Sequence, residues 1–146
     1  MTNKVITISR QFGSGGRSIG KAVAEKLGIP YYDKELVDKV AKESGFSHEF
    51  IEEIGEYASV TSSFLFNIFI HSDMAHRAAR VRERYGETSK PMEKRLQEKD
   101  SKRKVYYKHY TNRNWGEAEN YDVCLDSGTL GVDKCVEIVC DIAQMK

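Results

Sequence analysis

An α/β domain with a parallel sheet flanked by helices is the fold class this sequence predicts, and three observations predict it. Short β-branched or apolar runs alternate along the chain with helical patterns of apolar residues. The strand-to-helix step that opens the chain recurs at Ile68 and again at Tyr121, as a sheet of parallel strands requires. The length of 146 residues, with 40% hydrophobic content and only two prolines, suits one soluble compact domain.

Val5-Ile6-Thr7-Ile8 is short and β-branched and runs into a Gly/Ser cluster, so it reads as a strand entering a loop. In the helix that follows, Ile19, Val23 and Leu27 recur every fourth residue beside Ala22 and Ala24, and Gly28 is placed to end it. Ile29-Pro30-Tyr31-Tyr32 reads as a second short strand, with Pro30 at its start, where a missing N–H is tolerated, and Asp33 at its end. Leu36, Val37, Val40 and Ala41 form an amphipathic stripe that stops near Gly45, and Ser47 caps a further helix bearing Phe50, Ile51 and Ile54.

Ile68-Phe69-Ile70-His71 reads as a buried strand, Ser72 as a cap, and Met74, Ala78, Val81 and Tyr85 as one face of a helix ending before Gly86. From Lys90 to Tyr110 the sequence is a basic helical arm crowded with Lys94, Arg95, Lys99, Lys102, Arg103, Lys104 and Lys108. Tyr121–Leu125 returns to strand, Ser127-Gly128 turns, and Val132, Val136, Val139 and Ala143 form the inward face of a last helix. One domain thus spans 1–146, with a core of 1–89 and 119–146 and a basic, lid-like arm at 90–118.

Lys and Arg total 23 against 22 Asp and Glu, so the net charge of +1 offers no global field for nucleic acid or a membrane. Cys124, Cys135 and Cys140 have neither a CxxC pair nor the His spacing of zinc ligands, and read as reduced, buried thiols. No stretch approaches the roughly 20 apolar residues of a membrane span, and the first apolar run is too short for a signal peptide. A cytoplasmic protein is the expectation. His71, without a nucleophile or metal partner in the pattern, reads as structural.

Phosphate chemistry enters at Ile8-Ser9-Arg10-Gln11-Phe12-Gly13-Ser14-Gly15-Gly16-Arg17-Ser18, which follows a strand and opens a helix. Glycines let backbone N–H groups converge on an anion, because no Cβ blocks close approach or positive φ, and the helix start adds free donors and a positive dipole end. Against the pattern G-x-x-x-x-G-K-[ST], Gly16-Arg17-Ser18 fills the last three places with Arg for Lys, and Gln11 stands where the first glycine would be. Arg17 brings a permanent charge, Ser18 a hydroxyl suited to magnesium, and Gly13, Ser14, Gly15 and Gly16 the amides. The alternative is a flexible Gly/Ser turn that binds nothing.

The stretches Ile6–Arg17 and Leu27–Asp33 are similar to the cytidylate kinase-like family of nucleotide kinases, and so is a second set of residues. That set runs from Arg84-Tyr85-Gly86-Glu87 through Lys99-Asp100, Tyr106-Tyr107, Trp115-Gly116 and Glu119-Asn120-Tyr121 to Leu125-Asp126-Ser127. The resemblance implies the P-loop kinase fold, ATP as donor, magnesium, and a nucleoside monophosphate as acceptor. It sets Asp33 near the acceptor, although an N-cap for the helix at Lys34 explains the same residue. It makes the basic arm an Arg-rich lid, in which Lys99 and Arg103 share a helix face as substrate contacts, Asp100 is close enough to pair with Arg103, and Arg103 joins Arg17 in catalysis. A solvated charged face is the alternative for any one of these residues.

Tyr106, Tyr107, Tyr110 and Trp115 either stack on a base or pack a hinge. Asp126-Ser127-Gly128 either approaches the donor base or simply turns. The family pattern also calls for a further helix, a parallel strand and a basic Gly-Arg segment after Phe66, none of which is present. Phe64-Leu65-Phe66-Asn67 lacks Gly and Pro where a change of element calls for turn chemistry. The expectation is a central segment lost at Phe66/Asn67, with no ordinary peptide bond between the two. Three functions follow: ATP-dependent phosphoryl transfer to a nucleoside monophosphate, nucleotide binding with little turnover, or nucleic-acid binding through residues 94–108.

Overall fold

The computed structural model describes residues 5–31, 65–86 and 90–145. In chain order its elements are β1 (Val5–Arg10), α1 (Gly16–Leu27), β2 (Leu65–His71), α2 (Met74–Tyr85), α3 (Met92–Thr111), a 3-10 turn at Ala118–Asn120, β3 (Val123–Asp126), α4 (Ser127–Leu130) and α5 (Val132–Ala143). Among the described residues the strands form a small parallel sheet in the order β1-β2-β3, so the α/β expectation holds.

Side-chain alternation gives this sheet two unlike faces. Ile68 and Ile70 point into a core built with Ile19 and Val23 of α1 and Cys135, Val136 and Val139 of α5. Phe69, one residue out of phase, packs on the opposite face against Tyr107 and Trp115. A third cluster, Ala78 and Val81 with Met92 and Leu96, joins α2 to α3. All three cysteines are free; Cys135 and Cys140 are buried, and burial pushes both thiols above their ordinary pKa.

Three local expectations are corrected. Ile29–Tyr31 is not a strand: Gly28 adopts φ 66° and the Ile29 N–H folds back onto the Ala24 carbonyl at 3.0 Å, which spends the donor a ladder would use. The cap of α2 is Asp73, whose carboxylate accepts the His76 N–H at 2.7 Å, while Ser72 lies one residue outside.

The third correction concerns the junction. β2 runs unbroken through Phe66 and Asn67, which pair in register with Ile6 and Thr7. No turn chemistry is needed there because the strand starts at Leu65, two residues before the supposed boundary. The Asn67 side chain belongs to the sheet as well, taking the Thr7 hydroxyl at 2.7 Å. Asp33, Tyr32 and the two helices expected at Leu36–Ala41 and Phe50–Ile54 fall outside the described residues.

Because Ile68 is fully buried at the centre of the sheet, Ile68→Ala removes core volume that the neighbouring strands prevent from collapsing. Urea unfolding should show a loss of about 2–5 kcal/mol. A loss below about 1 kcal/mol would contradict this placement of the core.

Candidate functional site

The site is built on the end of β1. Gln11 extends the parallel ladder by one residue, its N–H donating to the Ile70 carbonyl at 3.0 Å. The chain then turns sharply: the Gln11 carbonyl accepts both the Ser14 N–H at 3.2 Å and the Ser14 hydroxyl at 2.8 Å. Gly13 and Gly15 take φ of 82° and 88° in this turn, a left-handed backbone that costs other residues roughly 1–2 kcal/mol. A Cβ at Gly13 would also meet Val81 Cγ2 at 2.8 Å and the Arg77 carbonyl at 3.0 Å, so conformation and space both require glycine there.

α1 begins directly after the turn, and its Ile19 N–H reaches the Gly15 carbonyl at 2.9 Å. Among the described residues, the N–H groups of Gly13, Gly15, Gly16 and Ser18 donate to no protein acceptor. They sit at a helix start, where free donors and the dipole favour an anion. Ser14 is different, because its N–H is used inside the turn.

Side chains from three other elements hold the loop from outside. The Phe12 N–H donates to Asp100 Oδ1 of α3 at 3.0 Å, and the Phe12 carbonyl accepts from Arg77 Nη1 of α2 at 3.3 Å. Gln11 Oε1 accepts the Ser72 N–H at 3.0 Å, and the Ser127 hydroxyl donates to the Ser14 carbonyl at 2.5 Å. The Phe12 ring lies 6.4 Å from that of Tyr85, with Arg95 and Lys99 over it at 5.8 and 5.7 Å.

Of the residues singled out by sequence, Gly13–Ser18 are brought together, with Arg17 exposed at the second position of α1. Ser18 Oγ accepts from Arg80 Nη2 at 2.9 Å, and Arg80 lies against Gly15. Burial and then the neighbouring Arg84 charge lower the Arg80 pKa from its ordinary value, which still leaves it a cation. A magnesium ion taken by Ser18 would therefore have to displace a guanidinium. Lys99 reaches the loop through the Phe12 ring, whereas Arg103 is half-buried one turn beyond Asp100 and makes no hydrogen bond or ion pair among the described residues.

Asp126 caps α4, and its carboxyl sits below the usual range because the Thr129 hydroxyl and the Thr129 and Gly128 N–H groups donate to it. His71 stacks on Phe69, 6.2 Å between centroids, and Trp115 meets Phe69 edge-on at 5.2 Å.

Sequence reasoning missed Arg77 and Arg80, and it offered Asp100 to Arg103, whereas the carboxylate pairs with Arg77. Arg77 stands three after Met74 and four before Val81, on a face already read as apolar, and Asp100 stands four after Leu96, which the structure buries. A charge on a buried stripe signals a partner.

The sequence model of the cytidylate kinase-like family matches residues 5–67 and 61–129, two stretches that overlap at 61–67, where β2 begins. A crystal structure of an uncharacterized protein from Eubacterium ventriosum is similar over 99% of this chain and 100% of its own, with a TM-score of 0.85 and 28% identity. Among curated proteins none matches.

Two glycine substitutions test the loop. Gly28 has a similar φ of 66° but open space around a Cβ, so Gly28→Ala should cost about 1 kcal/mol. Gly13→Ala meets α2 backbone as well and should cost at least about 2 kcal/mol more by chemical unfolding. Equal costs would mean that the loop is not pressed against α2.

Proposed function

Because this chain belongs to the cytidylate kinase-like family, we propose that it is a P-loop nucleotide kinase that transfers a phosphoryl group from ATP to a nucleoside monophosphate. The observation that carries the reading is the loop itself: four N–H groups within six residues that donate to no acceptor among the described residues, at the start of a helix, beside Arg17 and Arg80. That arrangement suits the oxygens of a polyphosphate, which take many hydrogen bonds and carry several charges. Catalysis of this kind is mostly positioning and charge stabilisation, so a rigid cradle of amides and guanidinium groups is what the chemistry needs.

In this reading Gly13, Gly15, Gly16 and Ser18 hold the donor phosphates, Arg17 stands in for the usual lysine, and Arg80 adds a second charge. Bound magnesium would neutralise phosphate oxygens, with Ser18 as the candidate ligand once Arg80 has moved onto phosphate. Asp33 is assigned to the acceptor side, and Lys99 and Arg103 to the arm over the nucleotides. No helix among the described residues is long and apolar enough to cross a membrane, and a cytoplasmic location with nucleotides as the partners fits that reading.

A second reading, nucleotide binding with little turnover, has specific support. The family match comes in two stretches, in keeping with a shortened acceptor region before β2, and Gln11 and Arg17 depart from the usual loop. A coupled assay with ATP, magnesium and a panel of nucleoside monophosphates separates the two. Arg17→Ala should lower turnover about a hundredfold and ATP affinity much less, with the fold retained. Arg17→Lys should retain most of the activity, since it keeps the charge. Wild-type turnover in Arg17→Ala would remove Arg17 from the chemistry, and no turnover with any monophosphate would favour the second reading.

A further inference from the structure

Two buried charges lie just outside the glycine loop. Arg77 of α2 is 5% exposed and Asp100 of α3 is 8% exposed, and Arg77 Nη1 meets Asp100 Oδ2 at 2.6 Å. The same two side chains hold both polar groups of Phe12, the N–H on Asp100 Oδ1 and the carbonyl on Arg77 Nη1. Arg77 Nε also donates to the Ser72 carbonyl at 3.1 Å, which ties the end of β2 into the same knot.

A buried ion pair is a weak source of stability, because desolvation of both charges offsets their attraction. What this pair does provide is direction. A free loop residue would rotate its peptides, whereas Phe12 is held at both N–H and C=O by two side chains that are themselves paired, immediately before the left-handed Gly13.

We infer that Arg77 and Asp100 are positioning residues that set the shape of the phosphate loop and anchor the basic helix to it. The inference rests on the phosphate reading of the loop. It also fixes the arm, because Lys102, Arg103 and Lys104 follow Asp100 on the same helix. The pair has a built-in asymmetry. The Asp100 carboxylate alone, packed against the loop, would repel a phosphate, and Arg77 cancels that charge. Loss of Arg77 should therefore harm anion binding more than loss of the charge on Asp100, whose asparagine replacement can still accept the Phe12 N–H.

The test uses the complete chain, with ATP titrated calorimetrically and stability followed by urea unfolding. Arg77→Met should weaken ATP binding about a hundredfold and Asp100→Asn about tenfold. The paired change Arg77→Met/Asp100→Leu replaces the ion pair by apolar contact, which often restores stability. It should recover most of the unfolding midpoint yet stay about tenfold weak for ATP, because nothing then holds the Phe12 peptide.

Wild-type affinity in the paired variant, or a larger loss in Asp100→Asn than in Arg77→Met, would overturn the inference. Amide hydrogen exchange without nucleotide separates its failure from that of the functional reading. A Phe12 amide equally fast in wild type and the paired variant overturns the positioning role. A wild type that binds no ATP while its Phe12 amide is protected overturns the nucleotide reading and leaves the clamp standing.

Discussion

Parallel pairing is the constraint on which the rest of the structure depends. Strands that run the same way end on the same edge, so Arg10, His71 and Asp126 come level across the sheet, Arg10 beside Ile70 and His71 beside Asp126. Among the described residues each connection that leaves this edge begins a helix, and α1, α2 and α4 all start there. Gln11 and Ser72, sixty-one residues apart, bond because of that register, and Ser127 reaches both the Ser14 and His71 carbonyls. Crevices at the carboxyl ends of parallel strands are where open α/β sheets place their ligands. The glycine loop occupies that position without any further device.

The second determinant is the way α3 is seated. It has almost no apolar periodicity, yet Met92, Leu96 and Tyr107 are buried, and Asp100 completes the stripe with a charge. Its first half packs on α2 and the loop, and Tyr107 packs under Phe69. The exposed side holds Lys94, Lys102, Lys104, Val105 and Lys108. A basic arm rooted this firmly does not swing from its first residue. Closure over a nucleotide would have to bend α3 beyond Asp100, or carry the loop and α2 with it.

How much of this was legible in the sequence depended on whether the signal was local. The strands at Val5 and Ile68, the stripe of Ile19 and Val23, and the loop glycines follow from spacing and backbone chemistry alone, and the structure keeps them. The Ile29–Tyr31 strand failed because two backbone bonds at Gly28 outweigh the β preference of Ile and Tyr. The break at Phe66/Asn67 was misplaced because an apolar run was divided where the alternation of Phe66, Ile68 and Ile70 against Asn67, Phe69 and His71 continues.

The partnership of Arg77 with Asp100 spans 23 residues, so no local pattern announces it. Each member did leave a trace, a charge on a stripe of buried positions. Arg80 left none, since an arginine on a polar face looks the same whether it meets Ser18 or water.

The most direct test of the central claim, that the loop amides bind nucleotide phosphate, is backbone amide NMR of the complete chain during an ATP titration. Shifts concentrated at Gly13, Gly15, Gly16 and Ser18, with Ser14 moving less because its N–H already serves the turn, are the predicted result. Shifts confined to the basic face of α3, or saturation without any change at these glycines, would contradict it.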